Sequence, residues 1–323
     1  MRCFLTSLLA ILATILLSCG PAPVSPMPLR LGVMEWPGFY PVMAGVVDGS
    51  FAQQGLAVEV RCFPDNPSLN RALRHHEVDV ITGAAADALL MRAQGMSVRI
   101  LGALDASDGA DVLLARPGVE RLGETVDQRV SFEGINSFSH LFVLDALERA
   151  GVSEDRILAQ DLPGIDVPAA LLAGRLDVGH TWGTLAVAAQ AQGCRILARA
   201  GDHPGIITDI LATRQDVIDR QSADLHRLVL AIYARVEHYR TREAELLAAT
   251  ATFLGKKPED LMPITGQVTL LSRDESLTWM TDPGPAGALR QILQVQAGLL
   301  HRRGQFPDNA RVEELILPRF LVP

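Results

Sequence analysis

The chain has 323 residues and a net charge of −8 at neutral pH, with 48% hydrophobic residues. This length suffices for one large domain or two modest ones, and the hydrophobic fraction is typical of a packed α/β protein. The acidic balance and the lack of a basic stripe argue against a nucleic-acid partner. Only 5% of the residues are aromatic, so a sugar-stacking groove is not expected.

The N-terminus predicts an exported protein. An apolar run over residues 4–17 follows a positive residue, which is the layout of a secretory signal peptide and too short for a stable membrane span. It ends in Leu16-Leu17-Ser18-Cys19-Gly20, which is similar to the lipobox of bacterial lipoproteins. We therefore expect a signal peptide over residues 1–18, a lipid on Cys19 and an extended, proline-rich tether over residues 19–28. The alternative is an ordinary signal peptide that happens to hold a cysteine.

Strands and helices alternate after the tether. Short apolar or alternating runs predict strands, and apolar residues at helical spacing predict helices. The predicted strands of this part cover residues 29–34, 57–63, 78–82 and 98–102, and the predicted helices cover 40–54, 68–76 (capped by Ser68) and 85–94. This order indicates a parallel sheet covered on both faces.

The pattern then restarts. Further strands are predicted over residues 111–116, 129–132, 156–158, 176–180, 195–198 and 207–213, with a helix from about 136 to 150 and a mostly helical chain beyond 222. Residues 74–80 and 173–178 echo each other, each a helix end followed by an Asp-bearing strand. We therefore predict two lobes, with residues 29–110 and 209–323 in the first and 111–208 in the second. A ligand cleft is expected between them, at the carboxyl ends of the strands.

Six segments in this order resemble a known family. They are Trp36-Pro37-Gly38-Phe39-Tyr40, Gly49-Ser50-Phe51 with Gly55-Leu56, Glu77-Val78-Asp79, residues 105–111, residues 173–177 and Ile207-Thr208-Asp209-Ile210-Leu211. Over about residues 29–254 the chain resembles the type II periplasmic binding proteins of ABC importers, in the nitrate/sulfonate/taurine and thiamine-precursor group. The resemblance implies a two-lobed α/β fold with two mixed sheets, and a monomer that binds a small solute and delivers it to an ABC permease. The chain departs from many relatives at Thr181-Trp182-Gly183-Thr184 and at Asp108.

The candidate ligand-binding residues lie in loops that leave strand ends or open helices. A glycine there lets backbone approach a ligand, aromatic rings form a wall, and hydroxyl, amide and carboxyl groups bind polar atoms. The candidates are Trp36, Gly38, Tyr40, Thr82, Gly83, Ala84, Asp108, Asn136, Ser137, Ser139, Trp182, Thr184 and Asp209. Each also has a plainer structural role, such as N-capping by Ser137 or a hinge contact by Asp209.

The charge of the solute stays open. The helix start at residues 136–139 suits an anion, whereas Glu35, Asp105, Asp108 and Asp209 suit an amine or a protonated ring. No arginine or lysine lies in the candidate cleft loops, which disfavours a doubly charged anion. The sequence favours a small neutral or zwitterionic organic molecule, with a pyrimidine-like vitamin precursor among the options.

No catalytic or metal-binding motif is present in the sequence. We therefore expect neither an enzyme nor a cofactor nor a metal site. An anchored sensor that reports solute occupancy to a membrane receptor is the alternative to an importer subunit, and an enzyme on the same fold is a distant third. Whether Cys62 and Cys194 form a disulfide is not determined by their spacing.

Overall fold

The computed structural model describes residues 27–282, 289–306 and 312–323. The predicted signal peptide and Cys19 lie outside these ranges. The strands are β1 (Leu29–Met34), β2 (Val58–Phe63), β3 (Val80–Ala84), β4 (Val98–Ser107), β5 (Asp111–Ala115), β6 (Arg129–Phe132), β7 (Leu158–Asp161), β8 (Val178–Trp182), β9 (Arg195–Arg199), β10 (Thr208–Arg214) and β11 (Val268–Leu270).

Helices cover the faces of the sheets. They are α1 (Tyr40–Val47), α2 (Ser50–Gln53), α3 (Asn66–Arg74), α4 (Ala85–Ala93), α5 (Phe138–Arg149), α6 (Val167–Leu172), α7 (Gly183–Gln190), α8 (Gln215–Tyr239), α9 (Glu243–Leu254), α10 (Arg273–Thr281) and α11 (Leu289–Arg302). Short 3-10 helices lie at Pro37–Phe39, Leu122–Glu124, Glu154–Arg156, Ala200–Asp202, Pro258–Asp260, Val312–Leu315 and Pro318–Phe320. Within the described ranges, no helix is both long and apolar enough to span a membrane.

The strands form two mixed sheets, which confirms the predicted fold class. The first sheet has the order β11-β4-β10-β3-β1-β2 and the second the order β7-β6-β8-β5-β9. β1 pairs in parallel with β2 and β3, and β6 pairs in parallel with β7 and β8. β10 is antiparallel to both of its neighbours, and so is β5. The central strands β3 and β10 are buried at every residue because helices cover both faces.

The chain crosses between the sheets at two adjacent places. It leaves the first sheet at the end of β4 and enters the second at Asp111, and it returns between β9 and β10. The crossings lie side by side because β4 and β10 are paired, and Ser107 N–H donates to the Ile207 carbonyl at 3.0 Å. The two lobes are therefore joined along one edge, which leaves a cleft between them.

The two similar sequence segments form the same hydrogen-bonded arrangement in each lobe. Asp79 accepts hydrogen bonds from the backbone N–H of Arg30 (3.1 Å) and from its guanidinium (2.9 Å). Asp177 accepts the same pair of bonds from Arg129, at 2.9 and 2.8 Å. Each aspartate thereby fixes the start of the first strand of its parallel pair. The repeated motif has a structural role in both lobes.

Several predicted elements differ in their details. Helix α3 is capped by Asp65, whose carboxylate accepts from Ser68 N–H at 2.7 Å, so the predicted cap at Ser68 was wrong. The strand predicted over 156–158 begins at Leu158, because a 3-10 helix occupies Glu154–Arg156. Strand β11 interrupts the region predicted as helical. The predicted cap of α5 by Ser137 is confirmed.

The two cysteines of the described ranges are free thiols. Cys62 is exposed on β2, at the edge of the first sheet, and Cys194 is buried beside β9 in the second lobe.

Candidate functional site

A cavity of about 640 Å³ lies between the two sheets. Its lining comes from the segments that follow the parallel strands in both lobes, as expected for the carboxyl edge of such sheets. The first lobe contributes Met34, Glu35, Trp36, Phe39, Pro64, Asp65, Asn66, Pro67 and Asp209, the return crossing contributes Ile207, and the second lobe contributes Asp111, Glu133, Gly134, Phe138, Asp161, Pro163, Ile165, Asp166 and Trp182. A molecule in this cavity would therefore contact both lobes.

The lining is strongly acidic. Seven of its side chains are carboxylic acids, and none of the described lining residues is lysine or arginine. Most of these acids also stabilise local structure. Asp65 caps α3, Asp161 accepts from Gly134 N–H at 2.9 Å, and Lys256 approaches Glu35 at 2.5 Å. The field in the cleft favours positive charge over negative charge.

Aspartates 105 and 209 form a buried pair at the cleft wall, of which Asp209 lines the cavity. They are register partners in β4 and β10, and their carboxyl groups are hydrogen-bonded to each other. Trp36 Nε1 donates to Asp105 Oδ1 at 3.1 Å. Burial raises the pKa of Asp105 to about 7, and burial together with the Asp105 charge raises the pKa of Asp209 well above its usual range. The pair therefore holds a proton at neutral pH.

A chain of hydrogen bonds leads from the cleft into the second lobe. His180 lies between Asp111 and Ser139, with Nε2 at 2.8 Å from Asp111 Oδ1 and Nδ1 at 2.8 Å from Ser139 Oγ. Ser139 Oγ also accepts from Glu133 N–H at 2.9 Å. The residues are those of a hydrolytic triad, but their order in space is reversed. Asp111 is the member that lines the cavity, whereas Ser139 is fully buried and is not among the lining residues. This arrangement positions Asp111 and gives Ser139 no access to a substrate.

Aromatic rings form the apolar part of the cleft. Trp36, Phe39, Phe138 and Trp182 all line it. Trp182 packs against Gly164, where a Cβ atom would lie 2.0 Å from the indole ring, so the close approach requires glycine. The cleft thus combines flat apolar walls with carboxylates, which suits a molecule with an apolar body and a polar or charged group.

The sequence profile described as NMT1/THI5 like matches residues 36–238. The chain belongs to this family. The match confirms the resemblance found from the six sequence segments. No curated protein matches the sequence.

Solved structures show the same fold as this NMT1/THI5-like chain. The periplasmic aliphatic sulphonate binding protein SsuA from Escherichia coli is 19% identical, with a TM-score of 0.71 over 91% of this chain and 92% of that one. The alkanesulfonate-binding SsuA from Xanthomonas axonopodis pv. citri, bound to MOPS, is 16% identical, with a TM-score of 0.72 over 91% and 99%. The desulfurization enzyme DszB is 15% identical, with a TM-score of 0.64 over 91% and 97%.

Three of the predicted ligand-binding residues line the cavity of the NMT1/THI5-like chain: Trp36, Trp182 and Asp209. Ser137 lines an adjoining groove between α3, α4 and the start of α5. Gly38 lies behind the wall, where a Cβ atom would be 1.8 Å from Asp105 Oδ2.

The other predicted residues lie elsewhere. Tyr40 is buried in α1 with its hydroxyl accepting from the Met262 backbone, and Asp108 is exposed on the crossing segment, where its carbonyl accepts from Gly201. The Asn136 side chain accepts from Arg303. The remaining residues are Thr82, Gly83 and Ala84 in the buried strand β3, Ser139 bonded to His180, and Thr184 in α7, whose side chain is outside the described part of the structure.

Sequence reasoning missed five of the seven acids on the cavity wall: Asp65, Asp111, Glu133, Asp161 and Asp166. Asp111 and Glu133 show two different reasons for this. Glu133 directly follows β6, so the rule about carboxyl ends of parallel strands was sufficient to find it. Asp111 begins an antiparallel strand, and it reaches the cavity because β5 pairs with β8 so that Asp111 lies opposite Trp182.

Proposed function

We propose that the protein is an extracytoplasmic lipoprotein that binds a small organic solute in the interlobe cleft and delivers it to an ABC importer. The observation that carries the proposal is the 640 Å³ cavity lined by side chains of both lobes. This volume suits a small organic molecule, and the lining combines aromatic walls with carboxylic acids that can bind a polar group.

The two-lobed construction supports capture by closure. A solute that bridges the lobes gains contacts with both only when the cleft is shut, so its binding free energy stabilises the closed form. A permease that recognises the closed form would thereby distinguish loaded from empty protein. The two crossings at β4 and β10 are the natural hinge, because they are the covalent links between the sheets.

Two further observations support export and delivery. The N-terminal apolar run and the lipobox-like segment before Gly20 support lipidation of Cys19 and attachment to a membrane surface. The fold is shared with periplasmic binding proteins, including SsuA of Escherichia coli. The reversed order of Asp111, His180 and Ser139 supports a binding role over hydrolysis by this triad.

A thermal-shift screen of the mature chain, residues 19–323, tests solute capture. Ammonium, zwitterionic, neutral and sulfonate compounds are offered in turn, and a solute at about one hundred times its Kd is expected to add about 2.7 kcal/mol to the free energy of unfolding. Mass spectrometry of the solute recovered after denaturation is expected to show it unchanged. A failure of every class to raise the melting temperature would contradict the proposal, and a converted solute would indicate an enzyme.

A further inference from the structure

We propose that the cleft is selective for an organic cation, a primary or secondary ammonium or a protonated ring nitrogen on an apolar body, with Asp111 as its charge partner. This inference rests on the proposed function and names the class of solute. It goes beyond the sequence, which left the charge of the solute open.

One carboxylate oxygen of Asp111 is hydrogen-bonded and the other has no hydrogen-bond partner. Oδ1 contacts His180 Nε2 at 2.8 Å, whereas Oδ2 is buried and has no hydrogen-bond partner. The residue is only 2% exposed, yet it lines the cavity. A buried carboxylate oxygen without a donor is unfavourable, so an N–H group of a ligand at this position would be stabilised.

The bonds behind Asp111 fix its orientation. Ser139 Oγ accepts from Glu133 N–H, so its own proton is directed to His180 Nδ1. With the Ser139 proton on the Nδ1 side, His180 donates from Nε2 to Asp111 Oδ1. This chain holds the carboxylate rigidly and leaves Oδ2 as the acceptor for a ligand.

The rest of the lining favours the same sign of charge. The cleft holds seven acids and, among its described lining residues, no lysine or arginine. Glu133 accepts from Gly164 N–H at 3.3 Å, and Asp161 accepts from Gly134 N–H, so both loops present carboxylates to the cavity. A sulfonate or carboxylate ligand would meet repulsion and find no guanidinium to bind it.

The geometry favours an organic cation over a metal ion. No group of three or more His, Cys, Asp or Glu residues within the described ranges is close enough to hold a metal. The aromatic walls contributed by Trp36, Phe138 and Trp182 suit an apolar body, and an indole face attracts an adjacent cation.

Three probes of similar shape and different charge test the inference: 2-phenylethylammonium, 2-phenylethanol and phenylmethanesulfonate. Their Kd values are measured by isothermal titration calorimetry on the mature chain. We expect the ammonium to bind at least about tenfold more tightly than the alcohol, because only the ammonium forms a charge-assisted hydrogen bond with Asp111, and the sulfonate to bind most weakly.

The variant Asp111→Asn tests the residue. Its amide oxygen can still accept from His180, but an NH₂ group replaces the free oxygen, so we expect the ammonium to lose about tenfold in affinity while the alcohol changes little. Asp274→Asn is the matched control, since it makes the same charge change on an exposed aspartate (82% side-chain exposure) of α10, outside the cleft. Circular dichroism and the melting temperature check the folding of both variants.

Each outcome is decisive for one proposal. If the alcohol or the sulfonate binds the wild-type chain as tightly as the ammonium, the cation inference is overturned and solute capture stands. An ammonium preference that persists in a folded Asp111→Asn variant would overturn the assignment of Asp111. If no probe of any charge binds or raises the melting temperature, the cation inference fails, and the screen of all solute classes decides whether solute capture stands. The probe series on the wild-type chain needs no variant and decides the charge selectivity even if Asp111→Asn does not fold.

Discussion

The protonation of Asp105 and Asp209 is determined by the groups that surround them. Each is almost completely buried, and the nearest charged groups that act on Asp209 are the carboxylates of Asp105, Asp111 and Asp87. Two carboxyl groups that are hydrogen-bonded to each other cannot both ionise at low cost, so one proton stays on the pair. The indole N–H of Trp36 stabilises the negative charge that remains.

The pair makes the free energy of unfolding depend on pH. The folded-state pKa of both acids is raised, so the stability that they allow at low pH is lost as pH rises. For Asp105 the loss runs from the unfolded pKa of about 4 to the folded pKa of about 7. Asp209→Asn removes one of the two acids, so we expect the melting temperature to fall less between pH 5 and pH 8 than in the wild type. A difference of about 2 kcal/mol corresponds to about 3 °C for a chain of this size, because the entropy of unfolding is about 2.1 cal/mol/K per residue.

Calorimetry at several pH values measures this difference, with Asp274→Asn as the charge-matched control. The control is expected to follow the wild-type pH profile. Identical profiles for Asp209→Asn and the wild type would show that the pair does not titrate in this range.

At the scale of elements, the turn after β1 packs closely against β4. The 3-10 helix Pro37–Phe39 places Gly38 beside the Asp105 carboxyl group, which leaves no room for a side chain. The sequence suggested that Gly38 allows a ligand to approach, whereas the structure shows that it allows two elements of the first lobe to approach. The contact also holds Trp36 at the cavity wall, since Trp36 is bonded to the same aspartate.

Gly38→Ala is expected to destabilise the fold by about 1–3 kcal/mol, because the new methyl group forces β4 and the turn apart. Gly298→Ala in α11 is the matched control. Its Cβ would have no atom within 4 Å, and we expect it to stabilise the helix by up to about 1 kcal/mol. Urea unfolding measures both changes. Equal midpoints for Gly38→Ala and the wild type would contradict the packing argument.

At the scale of the whole molecule, the two lobes carry one tryptophan each at the cleft. Trp36 follows β1 in the first lobe, and Trp182 ends β8 in the second. Trp279 lies on α10, away from the cavity lining. Trp36 is only 7% exposed, so closure of the cleft around a solute would remove water mainly from Trp182 and leave Trp279 unchanged.

Intrinsic fluorescence is therefore expected to report binding. Addition of 2-phenylethylammonium should shift the emission to shorter wavelength, because the Trp182 indole becomes less exposed to water when the lobes close. Trp182→Phe should lose much of this response, and Trp279→Phe, the matched control, should retain it. An equal response in all three proteins would indicate that binding occurs outside the cleft.

Much of the fold could be predicted from local patterns. Buried strands such as β1 and β10 are short apolar runs, and the cap of α5 depends only on Ser137 and residues within one helical turn. The echo between the Asp79 and Asp177 segments pointed to two related lobes. These features can be predicted because they depend on residues that are close together in the sequence.

The sequence by itself thus determined the elements, the class of fold and the family. Only the tertiary structure decided which acids meet at the cleft, because those contacts join residues that are distant in the chain. Asp111 and His180 are 69 positions apart, and so are Trp36 and Asp105. Strand register and sheet order bring them together, and neither leaves a local signature. For the same reason the acidic character of the cleft, and with it the expected charge of the solute, became visible only in the folded chain.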